Sequence, residues 1–294
     1  MNLLFDYTFQ TVALGSLLLG IVSGIVGSFA VLRKQALLGD GISHAALSGV
    51  AAAFLLTGSR STEILLLGAL CSGLLAAFLI VKAVRHTRLR FDAALASVMS
   101  VLFGLGTVLL TCAQKLPNAN QAGLSRFIYG QASAITREDI ILMLVCCGVL
   151  LLMVILLWKE LKVFVFDRQY AAQLGFNCGL IDLLLSLMTV ITIMTGLQTV
   201  GVILMSAMLA APAAAARQWT DRLPVMVALA AAFGGICGVT GTYISSITEK
   251  LPTGPAIVLC ISASAAVSLL FAPKRGVLSK LISLHKIRAL HKDR

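Results

Sequence analysis

The 294-residue chain is 59% hydrophobic and only 12% charged, with a formal net charge of +11. A soluble domain of this length carries roughly a quarter charged residues, so the composition excludes a soluble fold and indicates a polytopic helical membrane protein. The basic residues sit in short clusters between apolar runs, with no aromatic-interleaved basic stripe, which argues against nucleic acid as a partner.

The chain predicts an all-α membrane protein with about eight or nine transmembrane helices. Spans are expected near 11–32, 36–57, 63–84, 92–113, 138–158, 181–198, 200–216, 223–244 and 255–272. The seventh is separated from the sixth only by the barely polar Gly196-Leu197-Gln198-Thr199, so the two also read as one broken or re-entrant segment. Most of the 23 basic residues fall on one side of this arrangement. The other side holds only Arg60, Lys115, Arg126, Arg137 and Lys250. The positive-inside rule then sets the N-terminus out and the C-terminus in. Residues 1–275 are expected to form one transmembrane domain, and 276–294 a basic cytoplasmic tail that meets membrane lipid headgroups or a cytoplasmic partner.

In chain order, the first span carries Gly20 and Gly24 in a GxxxG pair, repeated late by Gly234 and Gly238. Both predict close helix approach. The second span opens with GDGISHAALSGV. Its Asp40 and His44 are four residues apart, so they share one helix face. At about 1.5 Å per residue, His44 lies about 15 Å beyond Lys34. A hydrocarbon core of about 30 Å puts it near mid-depth. An aspartate at such a position costs a few kcal/mol, and intramembrane titratable groups usually mark an ion pathway.

A carboxylate and an imidazole suit manganese, zinc or ferrous iron better than calcium or magnesium. Two ligands are too few for a site; a second copy across a two-fold axis would supply four. Proton relay by the same pair and simple hydrogen-bonded packing are open on these residues alone. Asp92 and Asp182 fall at inner ends of spans, and Glu63 and Glu138 at outer ends, where capping or contact with water accounts for them.

The outward segment 114–137 is the longest polar one on its side and a candidate docking surface. The inward segment 159–180 reads KELKVFVFDRQYAAQLGFNCGL. Asp167 can cap a short helix running through Leu174, with Gly175 ending it. Pro212 is expected to kink or break its span. Leu251-Pro252-Thr253-Gly254-Pro255 predicts a rigid turn. The seven cysteines show no paired CxxC spacing and read as packing residues. No basic segment with a cleavage site suggests a signal peptide. No GxxxxGK[ST] occurs, so the chain carries no P-loop and is not expected to hydrolyse ATP. No Ser/His/Asp or HExxH arrangement points to catalysis.

GDGISHAALSGV resembles the GDxxSHA(V/A)LPG segment of the metal-ion ABC transporter permeases, the family that imports manganese, zinc and iron. FDRQYAAQLG looks like that family's cytoplasmic coupling segment. VGVILMSAMLAAPAAAAR and LPTGPAIVL resemble its later signature stretches. Ser48 departs from the pattern, standing where the family more often has proline. The resemblance implies a permease subunit without its own ATPase, in the cytoplasmic membrane of a bacterium. It implies Asp40 and His44 as ligands of the transported ion, with no permanently bound cofactor. It implies an ATPase-coupling segment over Asp167, Arg168, Tyr170, Ala171, Leu174 and Gly175. The implied partners are cytoplasmic ABC ATPase subunits, an extracytoplasmic metal-binding protein and a second permease chain, identical or related. A secondary, proton-coupled metal transporter and an ABC permease for a metal chelate are the alternatives.

Overall fold

The computed structural model describes residues 7–59, 61–115, 135–197, 199–248 and 251–279. Among them are eleven helices and no strand: α1 Tyr7–Leu32, α2 Leu38–Thr57, α3 Thr62–His86, α4 Phe91–Gln114, α5 Arg137–Leu156, α6 Trp158–Phe166, α7 Arg168–Gln173, α8 Cys178–Leu197, α9 Val202–Trp219, α10 Leu223–Ile247 and α11 Thr253–Phe271. The outward loop, apart from its ends, and the tail from Lys280 onward lie outside the described residues.

Eight of the helices are long and apolar enough to cross a membrane. Helix α9 is not among those eight; it falls on the seventh expected span, near 200–216. Its 18 residues rise about 27 Å, and it runs beside α11 in the same direction. The backbone of Val200 meets Gly254 at one end. At the other, Trp219 Nε1 donates to Ser268 Oγ at 3.0 Å. The expected break at Pro212 does not occur, and α9 continues through it. Only one amide hydrogen bond is missing at a proline, and packing on neighbouring helices tolerates that inside a membrane bundle. Gly201, with φ +88°, makes the sharp entry into α9 and separates it from α8.

In lipid, helices gain little from the hydrophobic effect and associate through close packing. The two GxxxG pairs supply it. A Cβ on Gly20 would run into the carbonyl of Gly234, one on Gly24 into that of Ala230, and one on Gly238 into that of Ser16. Helices α1 and α10 therefore lie backbone to backbone and antiparallel. Gly49 and Gly68 do the same for α2 and α3.

The basic segments between helices share one end of the bundle. Arg33 after α1, Arg168 at the start of α7 and Asp182 in α8 meet there. At the opposite end, Tyr7 of α1 receives a hydrogen bond from Arg137 of α5 at 2.5 Å. All seven cysteines are free thiols; Cys147 and Cys237 are buried, and Cys71 and Cys112 are exposed.

Candidate functional site

The approach to α2 is a tight turn. Lys34 takes a left-handed backbone with φ +59°. Gln35 N–H donates to Ala30 O at 2.9 Å and Leu38 N–H to Gln35 O at 2.9 Å. Residues 33–37 are thus spent on the turn, and the helix starts at Leu38. Helical rise therefore counts from Leu38 and not from Lys34, which puts His44 about 9 Å into α2. Asp40 sits in the first turn, where the helix dipole favours a carboxylate.

The glycines that flank Asp40 have a packing reason. A Cβ on Gly39 would come 2.8 Å from Leu209 Cδ2 of α9, and one on Gly41 would come 2.5 Å from Leu95 Cδ1 of α4. Bare backbone on both sides lets two helices close around the carboxylate. Ser43 turns away and donates to Gly39 O at 2.7 Å.

Asp40 Oδ1 and His44 Nε2 are 3.5 Å apart, with side-chain exposures of 34% and 21%. The other imidazole nitrogen, Nδ1, is buried and makes no hydrogen bond. The ring of Phe103 on α4 stands edge to face against the imidazole, centroids 4.9 Å apart and planes at 79°. Gly106 lets α4 come this close, since a Cβ there would sit 2.9 Å from Ser48 N. Ser48 keeps the helix regular where a proline would disturb it; its hydroxyl donates to Ala45 O at 2.7 Å.

The sequence pair is therefore brought together, partly open, with coordinating capacity in hand. No cluster of three or more His, Cys, Asp or Glu side chains occurs among the described residues. One chain supplies two ligands, one hard oxygen and one borderline nitrogen.

The second predicted group forms as the residues dictate. Asp167 Oδ1 accepts from Gln169 N–H and Tyr170 N–H, both at 2.9 Å, capping α7. Gly175 leaves the helix with φ +84°. Ala171 is fully buried, while Tyr170 is 52% and Leu174 51% exposed. Helix α6 was not anticipated. It packs Leu161 and Phe164 into the bundle and holds α7 outward.

Arg168 is 55% exposed, and its end reaches back to α8. Its Nη2 lies 2.9 Å from Asp182 Oδ2, and Arg33 Nη2 lies 2.5 Å from Asp182 Oδ1. Asp182 is thus buried and doubly paired rather than a cap reaching water. The cap of α8 is Asn177, whose Oδ1 accepts from Gly179 and Leu180 N–H at 3.1 Å. Phe103 and Arg33 carry no signature in the sequence. The GDG spacing is the only written sign of the close packing around Asp40.

The model of the ABC 3 transport family matches residues 5–272. The chain is 49% identical to the zinc transport system membrane protein TroC of Treponema pallidum, over all of this chain and 98% of that protein. It is 44% identical to the manganese transport system membrane protein MntC of Bacillus subtilis, over 95% of this chain and 64% of that one. Among solved structures, a chain of PsaBC from Streptococcus pneumoniae, in complex with Fab, superposes with a TM-score of 0.83. Its identity is 29%, covering 96% of this chain and 97% of that one.

Proposed function

The chain belongs to the ABC 3 transport family, as a membrane permease of a metal ABC transporter, and from that membership we propose that it moves manganese or zinc by holding the ion between Asp40 and His44. It is a multi-pass transport subunit and not an ATPase, so ATP hydrolysis falls to partner subunits. The relatives are named for zinc and manganese, and the proposal narrows to these two.

The single observation that carries the proposal is the paired geometry on α2. A carboxylate and an imidazole lie 3.5 Å apart on one face, and the second ring nitrogen has no partner. Two donors bind weakly enough to release. A second permease chain, identical or related, would bring two more and complete a four-ligand transit site.

The orientation follows the charge asymmetry, with α7 on the cytoplasmic side. The exposed Tyr170 and Leu174 then face the ATPase subunits. An extracytoplasmic binding protein would deliver the ion at the opposite end. ATP-driven closure of the ATPase pair would shift the bundle and turn the site inward.

The test is ATP-dependent uptake of radiolabelled manganese and zinc by the complex reconstituted with its ATPase and binding protein. Wild type is compared with Asp40→Ala and His44→Ala. The expected result is a loss of about tenfold or more in each variant, with ATPase assembly intact; the preferred ion names the cargo. Uptake by the chain alone, driven by a proton gradient, would replace this reading with a secondary carrier. Normal uptake in both variants would reduce the pair to packing.

A further inference from the structure

We infer that Asp182 is a positioning residue that ties the coupling segment to the turn carrying the metal-binding end of α2. The inference rests on the reading of α7 as the ATPase contact and deepens it.

Each carboxylate oxygen of Asp182 holds one arginine from a different segment. Oδ1 takes Arg33, just past α1, at 2.5 Å, and Oδ2 takes Arg168, the first residue of α7, at 2.9 Å. Both guanidinium groups also lie over the Phe164 ring of α6, at 4.8 Å and 5.7 Å. The Arg33 and Asp182 side chains are 12% and 10% exposed. An ion pair this deep is costly to break by removing one partner, unlike a solvated surface pair. Arg168, more exposed, reaches in from α7 and is the movable arm.

The link continues into the site. Arg33 N–H is bonded to Phe29 O at 3.1 Å, Lys34 N–H to Val31 O at 3.0 Å, and Gln35 N–H to Ala30 O at 2.9 Å. Lys34 holds its left-handed conformation within this turn. Leu38 N–H bonds Gln35 O and opens α2. From there the helix is continuous to Asp40 and His44. A displacement of α7 thus reaches Arg33 through one carboxylate and enters α2 through a short hydrogen-bonded turn. A cavity of about 10 Å³ lies beside the turn, lined by Arg33, Gln35, Leu38, Ser186 and Thr189 among others. It is room for about one water, so the turn is not packed solid against α8.

A coupling contact and a packing staple differ in one ratio. Loss of a staple lowers ATP hydrolysis and transport together, in proportion to the folded complex. Loss of a coupling contact leaves hydrolysis and removes transport per ATP. The experiment uses the full complex with its ATPase and binding protein in proteoliposomes. It compares wild type with Asp182→Asn, and with the double variant Arg33→Met/Asp182→Leu. The double variant removes both buried charges together and so avoids a buried unpaired arginine, leaving the 55% exposed Arg168 to water. Manganese and zinc uptake and ATP hydrolysis are measured on the same vesicles.

The expected result is hydrolysis within about twofold of wild type and metal moved per ATP reduced about fivefold or more, with Asp182→Glu recovering part of the loss. An unchanged ratio in the double variant overturns the inference. Failure of the underlying reading gives a different pattern: Leu174→Asp leaves ATPase assembly intact, or wild type shows no ATP-dependent uptake.

Discussion

Phe103 of α4 stands edge to face against the imidazole of His44, with ring centroids 4.9 Å apart. It is the contact that fixes the ring plane while Nε2 faces Asp40. Truncation to Ala should free the imidazole to rotate. We expect Phe103→Ala to weaken metal capture about tenfold, while Phe103→Tyr retains most of it. Uptake measured against metal concentration checks this. A change in maximal rate without a change in half-saturation would mean that Phe103 acts on the pathway and not on the ring.

Tyr170 and Leu174 project from α7 while Ala171 anchors it. A charge in an apolar docking contact removes buried area and adds a desolvation cost. Leu174→Asp should therefore weaken retention of the ATPase subunits by about 2 kcal/mol or more, measured by co-purification and by surface binding of detergent-solubilised permease. The transmembrane helices should keep the wild-type melting behaviour, because Leu174 packs against no core cluster. Asp167→Ala removes the cap of α7 and should produce a milder version of the same defect, costing about 1 kcal/mol of helix stability.

The α1–α10 interface has no space for side chains at its crossing. Gly20→Val would drive a branched side chain into the Gly234 carbonyl. The cost of overpacking is about 1–3 kcal/mol where neighbours can yield, and here the neighbour is backbone. Thermal unfolding in detergent should fall sharply for Gly20→Val. Gly104→Ala, on α4 with open space around its Cβ position, serves as the control and should be neutral or slightly stabilising.

Asp221 links the α9–α10 turn to the end of α11. Lys274 donates to it at 3.1 Å and Arg275 at 2.7 Å. The hydrogen bond from Lys274 and the nearby charges of Lys274 and Arg275 hold its carboxyl below the ordinary 3.8. A depressed carboxylate stabilises only where it is ionised. The tie is therefore complete above 3.8 and is lost as pH falls through the lower folded value. Proteolysis of the 273–276 segment should be slow at neutral pH and quicken only in that acid range. Asp221→Asn should give the fast rate at neutral pH. High salt should give part of it, because the cluster is exposed and screened.

The eight candidate crossing helices were legible in the sequence, with bounds mostly within a few residues, because a bilayer demands about 20 apolar residues per crossing and the chain writes those runs out. The sixth and seventh spans were harder to separate, since Gly201 marks the turn only through its backbone conformation. Asp40, His44 and the Asp167–Gly175 segment were legible too, as spacing on one helix is a local property. Asp182 was readable as an acid at a helix end but not as a junction. Its partners lie 149 positions earlier and 14 earlier, at Arg33 and Arg168, and no periodicity connects them. Phe103 was silent for the same reason: one apolar residue in an apolar helix carries no mark of what it touches.

The sequence by itself determined that the chain is a helical membrane protein, where its long apolar helices run to within a few residues, and which two titratable side chains share a face of one of them. These follow from composition and from the 3.6-residue repeat, which depend only on neighbours along the chain. The tertiary structure alone decided where α2 starts relative to His44, which ring packs on it, and that one buried carboxylate joins Arg168 of α7 to Arg33 in the turn before α2. Those facts depend on helices meeting through glycine contacts and a left-handed turn, and contact between distant segments is a property of packing, not of order along the chain.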